Sequence, residues 1–403
     1  MLVRRLTDDD AVPCRRLGAQ AFGGPMPEEN PRPFSPGEVA LGIDSASLPG
    51  GADGVLAAVA RVRRDRIVIG GREVGCGGVA GLVVHPAHRG EGLFHAILGA
   101  CLDACAEEQL PWSMLYPSHP GIYRRHGFQV VARTLAAVVP IAALSGLARP
   151  EGLRTVPVTD GAFDRVRDLY RASLAGENGM LLREGPLFPA AGMPGGGFDA
   201  VLVEDDAGQA RGYMSYTHRT ENEEPVGLDV HEVVAGDRAA RIALLRSLAG
   251  WSTSITAARI RLRSDDPVLD VIPGGTVQLE MDEASSQVMM RVVDVAAALR
   301  ARGAPTDLSG HIALEVQDER SGGSWQVTAA GGDVTCEDLT SGAAPAGTPT
   351  ATLDIHALSL LLAGGRRVTD AERLGLGVRV DPAARAFLDT LVAGPRPSVM
   401  DAF

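Results

Sequence analysis

The chain contains no lysine, so all 38 of its basic residues are arginines. This absence excludes chemistry that needs a lysine amine, such as a phosphate-loop lysine or a Schiff base with pyridoxal phosphate. Acidic residues outnumber arginines by 50 to 38, which gives a net charge of −12. Such a charge argues against nucleic acid as a partner, because phosphate binding needs basic surface. It is compatible with a cationic substrate.

Long apolar runs and paired cysteines are also missing. No stretch approaches the roughly 18 apolar residues of a membrane-spanning helix, and the opening MLVRRLTDDD lacks the apolar segment of a secretory signal. The cysteines follow no disulfide or zinc-site spacing. These observations predict a cytoplasmic protein without a membrane partner. The five cysteines are Cys14, Cys76, Cys101, Cys105 and Cys336.

Residues 79–127 contain the sequence motifs that say most about function. Val79–Val84 has the composition of a buried strand, a turn rich in Arg and Gly follows, and apolar residues then recur every three to four positions, as in a helix. Backbone N–H groups and the helix dipole make such a junction an anion site. Arg89-x-x-Gly92 resembles the pyrophosphate loop of the GNAT acetyltransferases, although Phe94 replaces the last small residue of that pattern.

A second motif narrows the resemblance. Ser118-x-x-Gly121-Ile122-Tyr123-x-x-x-Gly127-Phe128 is similar to the segment that closes the acetyl-CoA site in the enhanced-intracellular-survival (Eis) family of GNAT enzymes. A terminal Phe at about this chain length is also an Eis feature. The resemblance implies an α/β (α+β) fold class, with tandem GNAT folds followed by a sterol-carrier-protein-like domain.

The length of 403 residues also favours two or three domains over a single core. Guided by the resemblance, we expect an N-terminal GNAT domain at 1–148, a second GNAT-like domain at 149–290 and a sterol-carrier-like domain at 291–403. The corresponding loop of the second domain lacks the Arg-x-x-Gly signature, and Asp237 there would repel a pyrophosphate. We therefore expect no working coenzyme A site in the second domain.

Some strands can be placed from composition and turn residues. Leu56–Val62 and Arg66–Ile69 are expected as two short strands around a polar turn, and Gln129–Pro140 as one strand. In the third domain, His311–Val316 and Trp325–Ala329 are expected to form a hairpin.

The resemblance assigns acetyl-CoA to the strand and loop of the first motif. Backbone groups of the strand would follow the pantetheine arm, and the loop would hold the pyrophosphate. Core packing is the alternative for the two valines, and both readings can hold at once. A surface loop that caps a helix is the alternative for Arg89, Gly90 and Gly92. The candidate cofactor residues are Val83, Val84, Arg89, Gly90, Gly92 and Leu93.

Three residues are candidates for catalysis. Tyr123 resembles the family's general acid, and a phenol with an ordinary pKa of about 10 stays protonated at neutral pH. Ser118 could donate to the thioester oxygen, or it could simply form a turn. The terminal carboxylate of Phe403 resembles the family's general base, and a frayed tail is the alternative.

Other polar residues invite weaker hypotheses. The histidines at 85, 88, 95, 119 and 126 form no metal-ligand motif, so no metal is expected. The loop at 25–36, with Met26 and Phe34, could line a substrate mouth. Several acidic residues could attract a cationic substrate, although solvated surface charge explains them as well. They are Asp8, Asp9, Asp10, Glu28, Glu29 and Asp401.

Together these features predict an acetyl-CoA-dependent N-acetyltransferase that modifies primary amines of a cationic small molecule. The resemblance implies an aminoglycoside-type acceptor modified at several positions, hence antibiotic resistance, and a homo-oligomer that is a hexamer. Two alternatives stay open. One is a GNAT enzyme that acts on a peptide lysine or a metabolite amine. The other is a ligand- or lipid-binding protein that works through its C-terminal domain.

Overall fold

A computed structural model describes residues 2–23, 26, 34–188, 199–221, 224–272, 277–281, 287–339 and 344–401. The first part of the chain contains β1 (Arg4–Arg5), α1 (Ala11–Phe22), β2 (Glu38–Asp44), β3 (Leu56–Ile69), β4 (Arg72–Val84), α2 (Leu93–Glu107), β5 (Trp112–Leu115), α3 (Pro120–Arg124), β6 (Gln129–Ala132), β7 (Leu135–Pro140) and α4 (Ile141–Leu144).

The second part contains β8 (Leu153–Pro157), α5 (Phe163–Ser173), β9 (Asp199–Asp205), β10 (Ala210–Glu221), β11 (Glu224–Ala235), α6 (Arg238–Leu248), β12 (Ala257–Leu262), β13 (Gln278–Met281) and β14 (Val288–Val292). The third part contains α7 (Val295–Ala301), β15 (Gly310–Gln317), β16 (Gly323–Ala330), β17 (Asp333–Asp338), β18 (Thr350–Asp354), α8 (Ile355–Leu362), α9 (Val368–Arg373), β19 (Val378–Val380) and α10 (Pro382–Leu391).

The strands form three sheets, and the first two exchange a strand. The first sheet has the order β1-β2-β3-β4-β5-β14-β6, the second β13-β7-β12-β11-β10-β9-β8 and the third β17-β16-β15-β18-β19. β14 lies antiparallel between β5 and β6, although some 160 residues separate it from β6 in sequence. β7 in turn pairs with β12 and β13 of the second sheet.

This exchange corrects the expectation of one strand at Gln129–Pro140. The segment forms two strands in different sheets, and Arg133 and Thr134 connect them. Arg133 is exposed at this crossover and Thr134 is buried. Apolar composition continues through the segment because both strands are buried, so composition alone does not reveal the break.

The expectation of two short strands at Leu56–Val62 and Arg66–Ile69 is also wrong, because β3 is continuous. The polar residues between them stay in the strand: Arg63 pairs with Asp65 at 2.9 Å, and the Arg64 N–H donates to Gly37. The turn comes later, at Gly70 and Gly71. Both have positive φ, +59° and +76°, as a tight β3–β4 hairpin requires.

Both faces of the first sheet are buried. Alternate residues of β5 and β14 belong to different apolar clusters, as the two-residue period of a strand dictates. Leu115 and Met289 pack with α2, whereas Met114 and Met290 pack with the core of the third part. The predicted hairpin of β15 and β16 is confirmed, and it lies in this shared core. Among the described residues, no helix is long and apolar enough to cross a membrane.

Candidate active site

A cleft of about 630 Å³ opens where β4 ends, between α1, α2 and α3. Eight of the nine predicted site residues line it, and the ninth, Phe403, lies outside the described residues. The cleft is lined by Ala21, Phe22, Leu82, Val83, Val84, His88, Arg89, Gly90, Gly92, Leu93, Phe94, Ser118, Ile122 and Tyr123.

A β-bulge directs β4 into this cleft. Val83 pairs with Val59 and Ala80 with Arg61, so Gly81 and Leu82 together stand opposite a single residue of β3. Gly81 has a φ of +59°, and a bulge of this kind bends its strand. On its other edge β4 pairs with β5 at residues 76–78, and nothing in the described chain pairs with that edge beyond them. Backbone groups near the end of β4 are therefore available to a ligand.

The loop after β4 exposes the N-terminus of α2. Gly90 and Gly92 have φ values of +89° and +79°, and Gly92 is the N-cap of the helix. A Cβ at either position would meet nothing within 4 Å, so glycine serves the backbone conformation there and leaves the approach open. Arg89 is exposed and makes no ion pair with any described residue. Free amides at the N-terminus of a 15-residue helix and an unpaired arginine fit a pyrophosphate.

His88 fixes this loop, and sequence reasoning missed its role. The ring is 5% exposed, with Nε2 2.8 Å from the Ser45 hydroxyl and Nδ1 3.3 Å from the Glu91 carboxylate. Ser45 is 43 residues away in sequence, so no local pattern reveals the contact. No group of three or more metal-binding side chains converges within the described ranges.

Tyr123 lies on α3 at the bottom of the cleft. Its side chain is 6% exposed, and burial raises its pKa above the ordinary value of 10. Ser118, which is exposed at the start of the same segment, interacts with the Tyr123 hydroxyl and partly offsets that rise. The phenol therefore keeps its proton at neutral pH, as a proton donor must.

The second GNAT-like domain differs at the equivalent point. Asp237 is the N-cap of α6, and its carboxylate accepts a hydrogen bond from Ala240 N–H at 2.8 Å. Arg211 also donates to this carboxylate, at 2.6 Å. The protein's own carboxylate thus occupies the anion position at this helix N-terminus.

Asp401 is anchored beside the segment that leads into the cleft. The Asp401 side chain pairs with Arg183 at 2.8 Å, and the Tyr116 hydroxyl donates to the Asp401 carbonyl. Tyr116 directly follows β5 and precedes the cleft residue Ser118 by two positions. The last described residue is therefore held beside the segment that carries Ser118 and Tyr123.

The acidic residues expected to attract substrate are mostly engaged or not described. Asp10 pairs with Arg4 at 2.7 Å and Asp401 pairs with Arg183 at 2.8 Å, so each carboxylate already has an arginine partner. Glu28 and Glu29 lie outside the described residues. Phe34 packs against the small cluster that contains Leu6, so the ring is part of that core.

Comparison with known families finds three matched regions along the chain. Residues 2–131 match a family described as "Acetyltransferase (GNAT) domain", and residues 179–292 match a second family with the same description. Residues 295–400 match a family described as "Sterol carrier protein domain". The expected fold class is thereby confirmed.

Relatives cover most of the chain. An "Uncharacterized N-acetyltransferase" of Streptomyces griseus is 26% identical over 359 residues, which are 83% of this chain and 84% of the relative. A GCN5-related N-acetyltransferase from Anabaena variabilis superposes with a TM-score of 0.83 at 18% identity, and Eis1 from Mycobacterium abscessus with 0.69 at 18% identity. Both alignments span 100% of each chain, and at this identity they show a shared fold. The chain therefore carries two tandem GNAT domains and a C-terminal sterol-carrier-protein-like domain, and it is an N-acetyltransferase.

Proposed function

We propose that the protein is an Eis-type enzyme that transfers an acetyl group from acetyl-CoA to a primary amine of a cationic small molecule. The observation that carries this proposal is the cleft, which combines the free end of β4, the open N-terminus of α2 and the buried phenol of Tyr123. The loop that would bind an anion and the phenol that would donate a proton line the same cleft. The net charge of −12 favours a cationic acceptor.

The chain's own groups suffice to hold the cofactor. Backbone groups of Val83 and Val84 would pair with the amides of the pantetheine arm, and the loop amides at Gly90 and Gly92 would bind the pyrophosphate with Arg89. Leu93 is 1% exposed, and its role is to fix the first turn of α2 under the loop. When bound, acetyl-CoA would supply the acetyl group, and coenzyme A would leave as a thiolate that takes up a proton.

Two residues would act at the reacting centre, one on the proton that the sulfur needs and one on the negative charge of the thioester oxygen. The Tyr123 hydroxyl holds the proton that the departing sulfur takes up, and its raised pKa keeps that proton available. The exposed Ser118 hydroxyl would donate to the oxygen that becomes negative. Tyr123 would recover a proton, by way of solvent, from the acceptor nitrogen after that nitrogen has bonded to the acetyl carbon, whereas the proton that leaves the ammonium before attack goes to the base.

The base is proposed to be the α-carboxylate of Phe403. Asp401 is fixed beside Tyr116, and two further residues can span about 7 Å from it. A carboxylate brought into a closed cleft has a raised pKa and accepts the ammonium proton more readily. We propose the same aminoglycoside-type acceptor, modified at several positions, and the hexameric assembly that the Eis resemblance implies.

A panel of amines tests this function directly. Purified full-length protein is incubated with acetyl-CoA and aminoglycosides, polyamines, a lysine peptide or neutral amino sugars, and thiol release is measured. We expect the fastest release with polycationic aminoglycosides, and mass spectrometry should then find more than one acetyl group per acceptor. Release with the lysine peptide alone would contradict the acceptor class, and no release with any amine would contradict the function.

A further inference from the structure

Three arginines from separate parts of the chain line a second pocket. Arg133 lies in the crossover between β6 and β7, Arg366 follows α8, and Arg396 lies five residues before the anchored Asp401. The pocket has a volume of about 500 Å³ and shares no lining residue with the active-site cleft.

None of these guanidinium groups has a direct polar partner within the described chain. Arg133, Arg366 and Arg396 have no hydrogen bond or ion pair there, and Arg366 Nε is buried without any hydrogen-bond partner. Burial and the charges of the other two arginines lower the pKa of Arg366, while Asp370 opposes this effect. A buried donor without a partner costs free energy, and like charges in one pocket add repulsion.

The other charged residues of the pocket do not supply the three arginines with partners. Arg263 is already paired with Glu177 at 3.2 Å. The Asp266 carboxylate accepts the backbone N–H groups of Arg263 and Val268, both at 2.9 Å. Asp265 and Asp270 also line the pocket, but no ion pair links them to the three arginines in the described structure.

We propose that Arg133, Arg366 and Arg396 form a binding site for a phosphate-bearing small molecule. Planar guanidinium groups match the oxygens of phosphate and would gain the acceptors they now lack. The pocket is larger than a phosphate ion, and Val130, Leu135, Leu262 and Leu269 provide apolar wall for an organic body. A phosphate ester therefore fits better than inorganic phosphate.

Such a ligand would join parts of the chain that are distant in sequence. Arg133 belongs to the crossover between the first two sheets, Arg366 to the third part and Arg396 to the segment that leads to the chain end. One bound anion would contact all three arginines and so link the three parts of the chain that carry them. The bound form should accordingly resist unfolding more than the free form.

Thermal unfolding of the full-length protein tests the site, with saturating coenzyme A present to fill the 89–92 loop. The probes are glucose 6-phosphate and inorganic phosphate, and glucose is the uncharged control. We expect both anions to raise Tm and glucose to leave it unchanged. Tighter apparent binding of glucose 6-phosphate would identify an organic phosphate as the ligand, and equal binding would identify phosphate itself.

The variants Arg366→Gln and Arg396→Gln should each weaken the apparent anion affinity by about tenfold or more. Arg16→Gln, which alters an exposed arginine of α1 outside the pocket, should leave it unchanged. Acetyl-CoA affinity should be equal in the wild type and the three variants, which would show that the anion site is distinct from the active-site loop.

A second readout does not depend on the probe. At low salt and without added anion, the Tm of Arg396→Gln should be at least as high as that of the wild type, because the substitution removes a repelling charge. Added salt screens this repulsion and should reduce any difference in Tm between the two proteins. If Arg366→Gln fails to fold, Arg396→Gln and Arg133→Gln carry the comparison. An unchanged wild-type Tm with both anions, or an equal shift in Arg396→Gln and Arg16→Gln, would overturn the proposal.

Discussion

The ring of Phe94 packs edge-on against the ring of Tyr123, with 5.3 Å between the ring centroids and 70° between their planes. Phe94 stands where the GNAT loop pattern has a small residue. The departure from the pattern thus places an aromatic ring against the candidate proton donor. Edge-to-face pairs contribute about 0.5–1.5 kcal/mol beyond their buried area, which is enough to favour one orientation of the phenol.

Replacing Phe94 by alanine should therefore lower kcat by up to about tenfold and change acetyl-CoA affinity by less than about twofold. Phe22→Ala is the matched control, because Phe22 lines the same cleft and the described structure shows no ring contact between it and Tyr123. Steady-state kinetics and calorimetry give the two quantities. An unchanged kcat in Phe94→Ala would show that the ring contact does not orient the phenol.

Tyr123→Phe should lower kcat by about 10²-fold or more while acetyl-CoA still binds, because the ring remains and the proton donor is lost. The pH dependence gives a second test. Since burial raises the pKa of Tyr123 above 10, the wild-type kcat should fall through loss of this proton only above pH 10. The variant should lack that fall, and an alkaline limb shared by both proteins would assign it to another group.

Arg89→Ala and Gly92→Asp should each weaken acetyl-CoA binding by about 1.5–3 kcal/mol, measured by titration calorimetry. The first change removes a cation, and the second adds an anion at a residue whose φ is +79°. Arg238→Ala at the start of α6 is the control in the second domain and should bind normally. Wild-type affinity in both loop variants would refute the cofactor assignment.

Changes at Phe403 should affect the reaction and not the cofactor. Deleting Phe403, or adding a few glycines after it, should cut kcat by about 10²-fold or more with acetyl-CoA affinity retained. Amidation of the terminus removes the charge and keeps the ring, so it separates chemistry from packing. An N-terminal tag of equal length is the control, and equal activity of N-tagged and C-tagged protein would exclude the carboxylate as base.

Arg183→Gln should destabilise the fold by about 3–5 kcal/mol, because it leaves the buried carboxylates of Asp401 and Glu232 without their cation. Arg171→Gln is the control: its ion pairs with Glu73 and Glu184 are both partly exposed, and each pair of this kind contributes about 0–1 kcal/mol. Urea unfolding measures both. Equal losses in the two variants would mean that the buried pair adds nothing beyond a surface pair.

Local features of this protein could be predicted from sequence, and long-range ones could not. The apolar period of α2 and the glycines before it lie within 30 residues, so the strand–loop–helix unit was predictable. The position of β14 beside β5 depends on a partner far along the chain, and composition does not encode partner choice. The continuous β3 was missed because Arg63, Arg64 and Asp65 have the composition of a turn, and only their contacts keep them extended.

The exchange of β7 and β14 has a consequence for synthesis on the ribosome. β6 cannot join the first sheet through its native neighbour until residue 292 has left the exit tunnel, because β14 lies between it and β5. At about 5–20 residues per second, the earlier strands wait on the order of ten seconds or more for that partner. Fragments that stop after the first family match would expose the open edges of β5 and β6. A fragment meant to complete the first sheet must therefore extend at least through β14, and one that ends there still lacks the third part, against which Met114 and Met290 pack.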